Sequence, residues 1–285
     1  MLDAILMSEG HIVENPVWAL KTAAFLQAQF SARADVFTEV GSTSDYLRDL
    51  IRTGDSSFES LLFCAAGVQT SGRGTHGRTW RSADNACLFS FAQRVSPSLV
   101  QHHPGLIPLG VGCCAAEALR RCSVPVGIKW PNDLWLYGGK VGGILCEVVR
   151  DSTGAIWVSI GVGLNVAGVR VGQTDRGWPI RSIAEGKIIA HCETPDFKSA
   201  CANEIISATF QWLSNAPLEI ERLPFQWMEL DEFFGKKVIW KTKGELCFGI
   251  DCGINTTGAL LVRKLNGMWV TLSTDSASLL PLSTP

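Results

Sequence analysis

The 285-residue chain contains no run approaching about 18 consecutive apolar residues, so no segment reads as a membrane-spanning helix. Its first stretch, MLDAILMSEGHIVENP, lacks a basic start and a credible cleavage site, and no secretory leader is expected. Charge is sparse, 18% of residues with a net of −2. Without clustered Lys and Arg the chain has no footprint for neutralising phosphates, and DNA binding is not expected. The ten cysteines include no Cys-x-x-Cys pair, which removes the usual zinc spacings. Most lie in apolar runs, such as Cys64 in LLFCAAG and Cys146 in GGILCEVV, where a free thiol acts as a small core hydrophobe. Reduced, buried thiols point to a cytoplasmic protein. There is no internal repeat, no Walker loop and no Gly-x-Ser-x-Gly nucleophile elbow.

What is present is a core-forming composition, 46% hydrophobic, in alternating helical and strand patterns. Residues 17–32 carry apolar side chains at helical spacing, and VFTEV (36–40) reads as a strand. Ser42 begins a capping-box-like Ser-x-x-Asp, so a helix is predicted from about Thr43 to Arg52. Strands are predicted at 61–68 and 87–93, and a helix at 106–121. VGIKW, LWLY and VGGILCEVV follow as three strands, the last two joined by a tight turn at Gly138-Gly139, and 155–163 extends the sheet. Thr194-Pro195-Asp196 opens a helix striped by Phe197, Cys201, Ile205, Ala208 and Trp212, and another is predicted over 219–232. From Gly235 onward, short strands separated by Gly and Asn turns predict a small all-β barrel. The fold class is therefore α+β, a mixed sheet flanked by helices. Residues 1–234 would form the larger domain, with 1–35 a helical extension, and 235–285 the barrel.

Four segments carry chemistry. Gly72-x-Gly74-x-x-Gly77 follows a strand and resembles a dinucleotide fingerprint, but a strand rather than a helix comes next, so that reading fails. The loop instead presents Arg73 and Arg78 among glycines, suited to carboxylate or phosphate, or to an ordinary solvated turn. Lys129-Trp-Pro-Asn-Asp133 ends one strand and begins the next; Asp133 could hold magnesium or fix a lysine, and the Asn-Asp pair could equally be an Asx turn. Lys140 follows, with no other cation near it in sequence, beside Gly142 and Gly143 in a strand, where bare backbone would admit a flat ligand ring. Asn165 ends the glycine-flanked strand IGVGLN, placed to bond a phosphate or ribose.

The ordered set Gly41-Ser-Thr43, Gln69-Thr-Ser-Gly-Arg-Gly74, Lys129-Trp-Pro-Asn-Asp133, Gly139-Lys-Val-Gly-Gly-Ile-Leu145 and Gly161-Val-Gly-Leu-Asn165 resembles the catalytic domain of biotin protein ligases over about residues 36–280. The resemblance implies a class II synthetase-like catalytic domain, a C-terminal SH3-like barrel, and adenylation of biotin by ATP with magnesium. The acceptor would be a lysine in the biotin carboxyl carrier domain of acetyl-CoA carboxylase or a related enzyme; the chain could be monomer or homodimer. By position, Ser42, Thr43 and Gln69 would bond the ureido ring, with Gly72 and Gly143 lining the biotin site. Arg73 would hold the activated carboxyl end through its backbone amide and shape the loop, Arg78 and His76 would lie near the phosphates, and Lys140 would contact biotin carboxylate and α-phosphate. Asn165 and Trp178 would serve the nucleotide, and Asp133 would orient Lys140 or bind magnesium. Two departures stand out. Thr75 replaces the arginine common in the family loop, which predicts a leakier adenylate, and only about 35 residues precede the catalytic domain, too few for a winged helix-turn-helix and linker. Lipoate or octanoate ligation, and a non-catalytic biotin sensor, are the competing readings.

Overall fold

The computed structural model describes residues 16–54, 60–168, 172–187, 189–242, 245–274 and 279–280. Residues 1–15 of the expected N-terminal extension and 281–285 of the tail lie outside them. Helix α1 (Val17–Phe30) leads into β1 (Arg33–Val40), α2 (Thr43–Thr53), β2 (Leu61–Gln69), β3 (Asn85–Val95), α3 (Pro97–His102) and α4 (Ile107–Arg121). Then come β4 (Gly127–Lys129), β5 (Asp133–Leu136), β6 (Gly139–Arg150), β7 (Ile156–Ala167), α5 (Pro195–Glu219) and α6 (Leu223–Leu230). The helix predicted over 219–232 is split by a short 3₁₀ turn, Ile220–Arg222, with Pro224 in the first turn of α6, where its missing N–H costs nothing. Among the described residues, no helix is long and apolar enough to cross a membrane.

The strands form one sheet in the order β1-β2-β3-β7-β6-β5-β4. Only β1 and β2 run parallel, so the sheet is mixed as predicted. Side-chain alternation decides what each face buries. Leu61, Phe63 and Ala65 of β2, with Phe89 and Phe91 of β3, join the main core under α1, α4 and α5. Leu62, Cys64, Ala92, Val149 and Trp157 face the other way and pack on Leu47 and Ile51 of α2. All ten cysteines are free, and burial pushes the Cys87 and Cys146 thiols up to about 12, so they stay protonated and unreactive.

The β5–β6 hairpin turns one residue earlier than expected. Tyr137 and Gly138 take the left-handed conformation (φ 50° and 73°), while Gly139 belongs to the strand. A Cβ on Gly139 would stand 2.7 Å from the Pro179 carbonyl oxygen, so the second glycine serves close backbone approach.

Strands β8 (Lys237–Thr242), β9 (Glu245–Ile254), β10 (Leu260–Lys264), β11 (Trp269–Leu272) and β12 (Leu279–Leu280) form a second, wholly antiparallel sheet. Its order, β11-β10-β9-β8-β12, leaves β11 and β12 at opposite edges without pairing among the described residues. The expected barrel is therefore an open sheet: local turns specify each hairpin, but closure needs a pairing between the first and last strands in that order. Trp130 and Trp178 tie it to the larger sheet, their indole N–H groups donating to the carbonyls of Gly258 (3.3 Å) and Leu279 (3.1 Å).

Two carboxyls are buried near this junction. Asp231 accepts from the Trp227 indole (3.0 Å) and the Phe233 amide (2.9 Å). Asp251, 1% exposed, accepts from Gly253 N–H (2.8 Å), while its Oδ2 has no partner. Burial first, then the neighbouring Asp231, pushes Asp251 up to about 8 from its ordinary 3.8. A carboxyl raised on folding favours the fold below the unfolded value, and that contribution is lost as pH rises through the folded one. Asp251→Asn should therefore gain Tm over wild type progressively from pH 3.8 towards about 8. A Tm difference that does not vary with pH in thermal melts would refute this.

Candidate functional site

The α2 face of the large sheet opens into a cavity at the ends of β2, β3, β6 and β7. Alternation along β7 turns Gly161, Gly163 and Asn165 to this side, and along β6 it turns Gly143 and Leu145. Thr43 and Ser44 enter from the first turn of α2, and Gln69 from the end of β2. The hydroxyls of Thr43 and Ser44 each pair with Ser90 (2.8 and 3.1 Å). Gln69 Oε1 accepts from both the amide and the hydroxyl of Thr43 (2.8 and 3.1 Å). A Cβ on Gly161 would meet Ser44 Oγ at 2.4 Å, so that glycine makes room for the hydroxyl pair. The result is a compact array of donors and acceptors. Ser42, expected in this array, instead caps α2, accepting from the Asp45 amide at 3.3 Å, and does not line the cavity.

The glycine loop folds over the mouth as a narrow hairpin, with Trp80 N–H donating to Gly72 O and Gly74 N–H to Arg78 O. Gly72 is buried behind it, and His76 (φ 57°) is exposed away from the cavity. Arg73 turns to a carboxylate clamp: it donates to Asp45 (2.8 Å) and to both oxygens of Glu147 (3.0 and 2.9 Å). Burial would lower its pKa, but Glu147 and Asp45 outweigh that and raise it. Its guanidinium thus holds the loop down. Arg78 lines the cavity, its Nε donating to the Thr75 carbonyl (2.9 Å) and its Nη2 to the Thr75 hydroxyl. The glycine face foreseen for a flat ring is occupied by Trp80: a Cβ on Gly163 would fall 2.4 Å from its indole, and one on Gly143 at 3.1 Å.

Lys140 is not an isolated cation. Its Nζ stands 2.5 Å from one oxygen of Asp133, and Lys129 Nζ is 2.6 Å from the other. Asp133 thus fixes two lysines. Burial would raise its carboxyl, but the two ammonium groups hold it well below the usual carboxylate range. Burial lowers the Lys129 ammonium, partly offset by Asp133. With both oxygens engaged, Asp133 does not fit the expected magnesium ligand, and no cluster of three His, Cys, Asp or Glu suited to a metal occurs among the described residues. Asn132 anchors the turn, its Nδ2 donating to the Ile144 carbonyl at 2.7 Å. Asn165 lines the cavity with Oδ1 accepting from the Ala83 amide (3.1 Å) and Nδ2 on the Arg181 carbonyl (3.3 Å). Trp178 is 8% exposed, packed edge-on against Trp135 and Phe233, and forms a wall.

Of the residues singled out in the sequence, the structure brings Thr43, Gln69, Arg73, Arg78, Asp133, Lys140, Gly143, Asn165 and Trp178 to one cavity, and leaves Ser42, Gly72 and His76 off its lining. Sequence reasoning missed Ser44, Trp80 and Arg176 of the lining, and the buried Ser90 bonded to Thr43 and Ser44. Ser44, Trp80 and Arg176 directly adjoin or end segments already singled out; Ser90 carried no local signal.

The model of the biotin/lipoate A/B protein ligase family matches residues 37–165. The chain is 32% identical over 271 residues to the bifunctional ligase/repressor BirA of Salmonella typhimurium, spanning 90% of this chain and 77% of that one. It is 28% identical over 241 residues to the biotin–[acetyl-CoA-carboxylase] ligase of Paracoccus denitrificans, spanning 78% of this chain and 95% of that protein. The fold matches that of a biotin protein ligase from Aquifex aeolicus in complex with biotin and ATP, with a TM-score of 0.64 at 22% identity, over 86% of this chain and 98% of the other. Sequence and fold define a ligase of the biotin/lipoate class. Within that class the chain belongs to the biotin protein ligases, and it is an enzyme.

Proposed function

We propose that this enzyme joins biotin and ATP into biotinyl-5′-AMP with release of pyrophosphate, then transfers biotin to a lysine of a biotin carboxyl carrier domain, of acetyl-CoA carboxylase or a related biotin enzyme. The observation that carries the reading is a single cavity with a neutral hydrogen-bonding array at one side and cations at the other. Thr43, Ser44 and Gln69 suit a ureido group, which both donates and accepts, with buried Ser90 bonded to both hydroxyls; Trp80 supplies an apolar face for the fused ring. Lys140 and Arg78 suit the carboxylate and α-phosphate.

A biotin carboxylate oxygen attacks the α-phosphorus, and the bond to the β-phosphate oxygen breaks. Charge gathering on the α-phosphoryl oxygens is met by cations already held in place, Lys140 by Asp133 and Arg78 by Thr75. Magnesium would enter with the nucleotide. The acceptor amine, deprotonated, attacks the acyl carbon and AMP leaves, so no enzyme nucleophile is required. The test is to incubate the protein with biotin, Mg·ATP and a biotin carboxyl carrier domain and probe with streptavidin. Labelling that needs ATP and the carrier's target lysine is expected. Acceptance of lipoate or octanoate instead would reassign the acid, and biotin binding without any transfer would indicate a sensor.

A further inference from the structure

The cations around the cavity are not equally committed. Arg73 is clamped by Asp45 and Glu147, and Lys140 shares Asp133 with Lys129. Among the described residues, the Arg78 guanidinium is bonded only to the neutral Thr75. Arg81 lines the cavity but is exposed. Arg176 lines it half-buried, with no hydrogen bond or ion pair among the described residues. Burial first, then the like charge of Arg78, lowers its pKa, with Asp133 opposing. A half-buried guanidinium beside a second one is costly unless an anion completes the group.

The segment bearing Arg176 is constructed rather than loose. Gly177 N–H donates to Thr174 O (2.8 Å), Thr174 N–H to Trp178 O (2.8 Å), and Trp178 N–H to the Thr174 hydroxyl (3.1 Å), with Gly177 at φ 81°. Arg176 thus sits in a closed turn whose far end is Trp178, packed in the core. The segment leaving the turn is bonded to Lys140 itself: Lys140 N–H donates to Pro179 O (2.8 Å) and Arg181 N–H to Lys140 O (2.9 Å). Arg176 and Lys140 are therefore carried on one hydrogen-bonded unit.

We propose that Arg176 closes on the phosphate of the acyl-adenylate, supplying from the 174–178 turn the guanidinium that Thr75 leaves out of the glycine loop. The fork of a guanidinium suits two phosphoryl oxygens, and Arg176 lines the same cavity as Arg78, so the two can share one anion. The leak that Thr75 alone implies is then countered by a residue about a hundred positions further along the chain. The inference rests on the ligase reading above and specifies how that site retains its intermediate.

The experiment is to load enzyme with biotin and ATP and measure release of biotinyl-AMP from wild type, Arg176→Gln, Arg176→Lys and Thr75→Arg, and from Thr75→Arg combined with Arg176→Gln. Arg176→Gln, which preserves the turn, should speed release about tenfold, the loss of one charge-assisted bond, with KM for biotin little changed because the hydrogen-bonding array is untouched. Arg176→Lys should fall between, keeping charge without the fork. Thr75→Arg should alter release little by itself but restore retention in the Arg176→Gln background. Release from Arg176→Gln at the wild-type rate would overturn the proposal, as would faster release that Thr75→Arg fails to restore. A wild-type enzyme that makes no biotinyl-AMP would overturn the ligase reading and this proposal with it; one that makes it but ignores Arg176 would overturn only the latter.

Discussion

Replacing Lys140 with alanine should slow formation of biotinyl-5′-AMP by on the order of 10² or more. Lys140 stands at the start of β6, inside the cavity, with its ammonium fixed 2.5 Å from Asp133 and 5.2 Å from the centre of the Trp80 ring. Both contacts hold the charge in place before the reaction, so little reorganisation is needed as negative charge develops on the α-phosphoryl group. Because that charge is larger in the transition state than in bound ATP, the loss should fall mainly on kcat, with a smaller change in KM for ATP. Stability should change little, since Asp133 keeps Lys129 and remains neutralised. Pyrophosphate release at the wild-type rate would show that Lys140 is not the required cation, and would shift the role to Arg78 or Lys129.

The second large effect concerns Asp133. Lys129 is 1% exposed, and its only ion pair among the described residues is with Asp133. Asp133→Ala strands a buried ammonium, which should cost about 3–5 kcal/mol of stability, as for one partner lost from a buried pair. The sign of the pH dependence is fixed by the direction of the remaining shift. Burial already lowers Lys129, and without Asp133 its folded pKa falls further below its unfolded value of 10.5. The unfolded chain then binds the extra proton, so the variant should recover stability as pH rises towards 10.5 and lose it as pH falls. Lys129→Met in the same background should return most of the lost Tm, because an apolar side chain of similar length removes the uncompensated charge. A single Asp133→Ala variant melting with wild type at neutral pH would show that the carboxylate does not hold Lys129.

Local physics made much of the architecture legible in the residues alone. Ser42 with Asp45 fixed where α2 begins, because a side-chain oxygen at that position satisfies a free helix amide. Apolar spacing located α4 as Ile107–Arg121 against an expected 106–121, and the striped face of α5 (Cys201, Ile205, Trp212) is buried. The glycine loop was read as something other than a dinucleotide site because the residues after it are strand-forming, and β3 follows as expected. Lys140, Asp133 and Arg78 could be singled out because each lies within or beside a short glycine- or proline-broken motif, where backbone approach and charge coincide, whereas Gln69 is marked only by the family resemblance.

Tertiary structure decided the rest, because the deciding contacts join residues far apart in sequence. Ser90 lies mid-strand with no motif around it, and meets the hydroxyls of Thr43 and Ser44 only when β3 pairs beside β7 and turns that side towards α2. Trp80 reads as the end of a loop, yet it fills the space over Gly143 and Gly163. Arg73 stands out by position as a residue that shapes the loop, but the two carboxylates that fix its guanidinium come from α2 and β6, far away in sequence. Lys140 stands alone in the chain but shares Asp133 with Lys129 once β4, β5 and β6 are adjacent. The C-terminal strands were readable one by one from their turns, whereas whether they close depends on a pairing between β11 and β12 that no local pattern encodes. Residue type and spacing therefore determined the elements and most of the chemistry in this chain. Which groups meet, and which cation is left free for an anion, followed only from sheet order and strand alternation, since these set the distances over which hydrogen bonds and charges act.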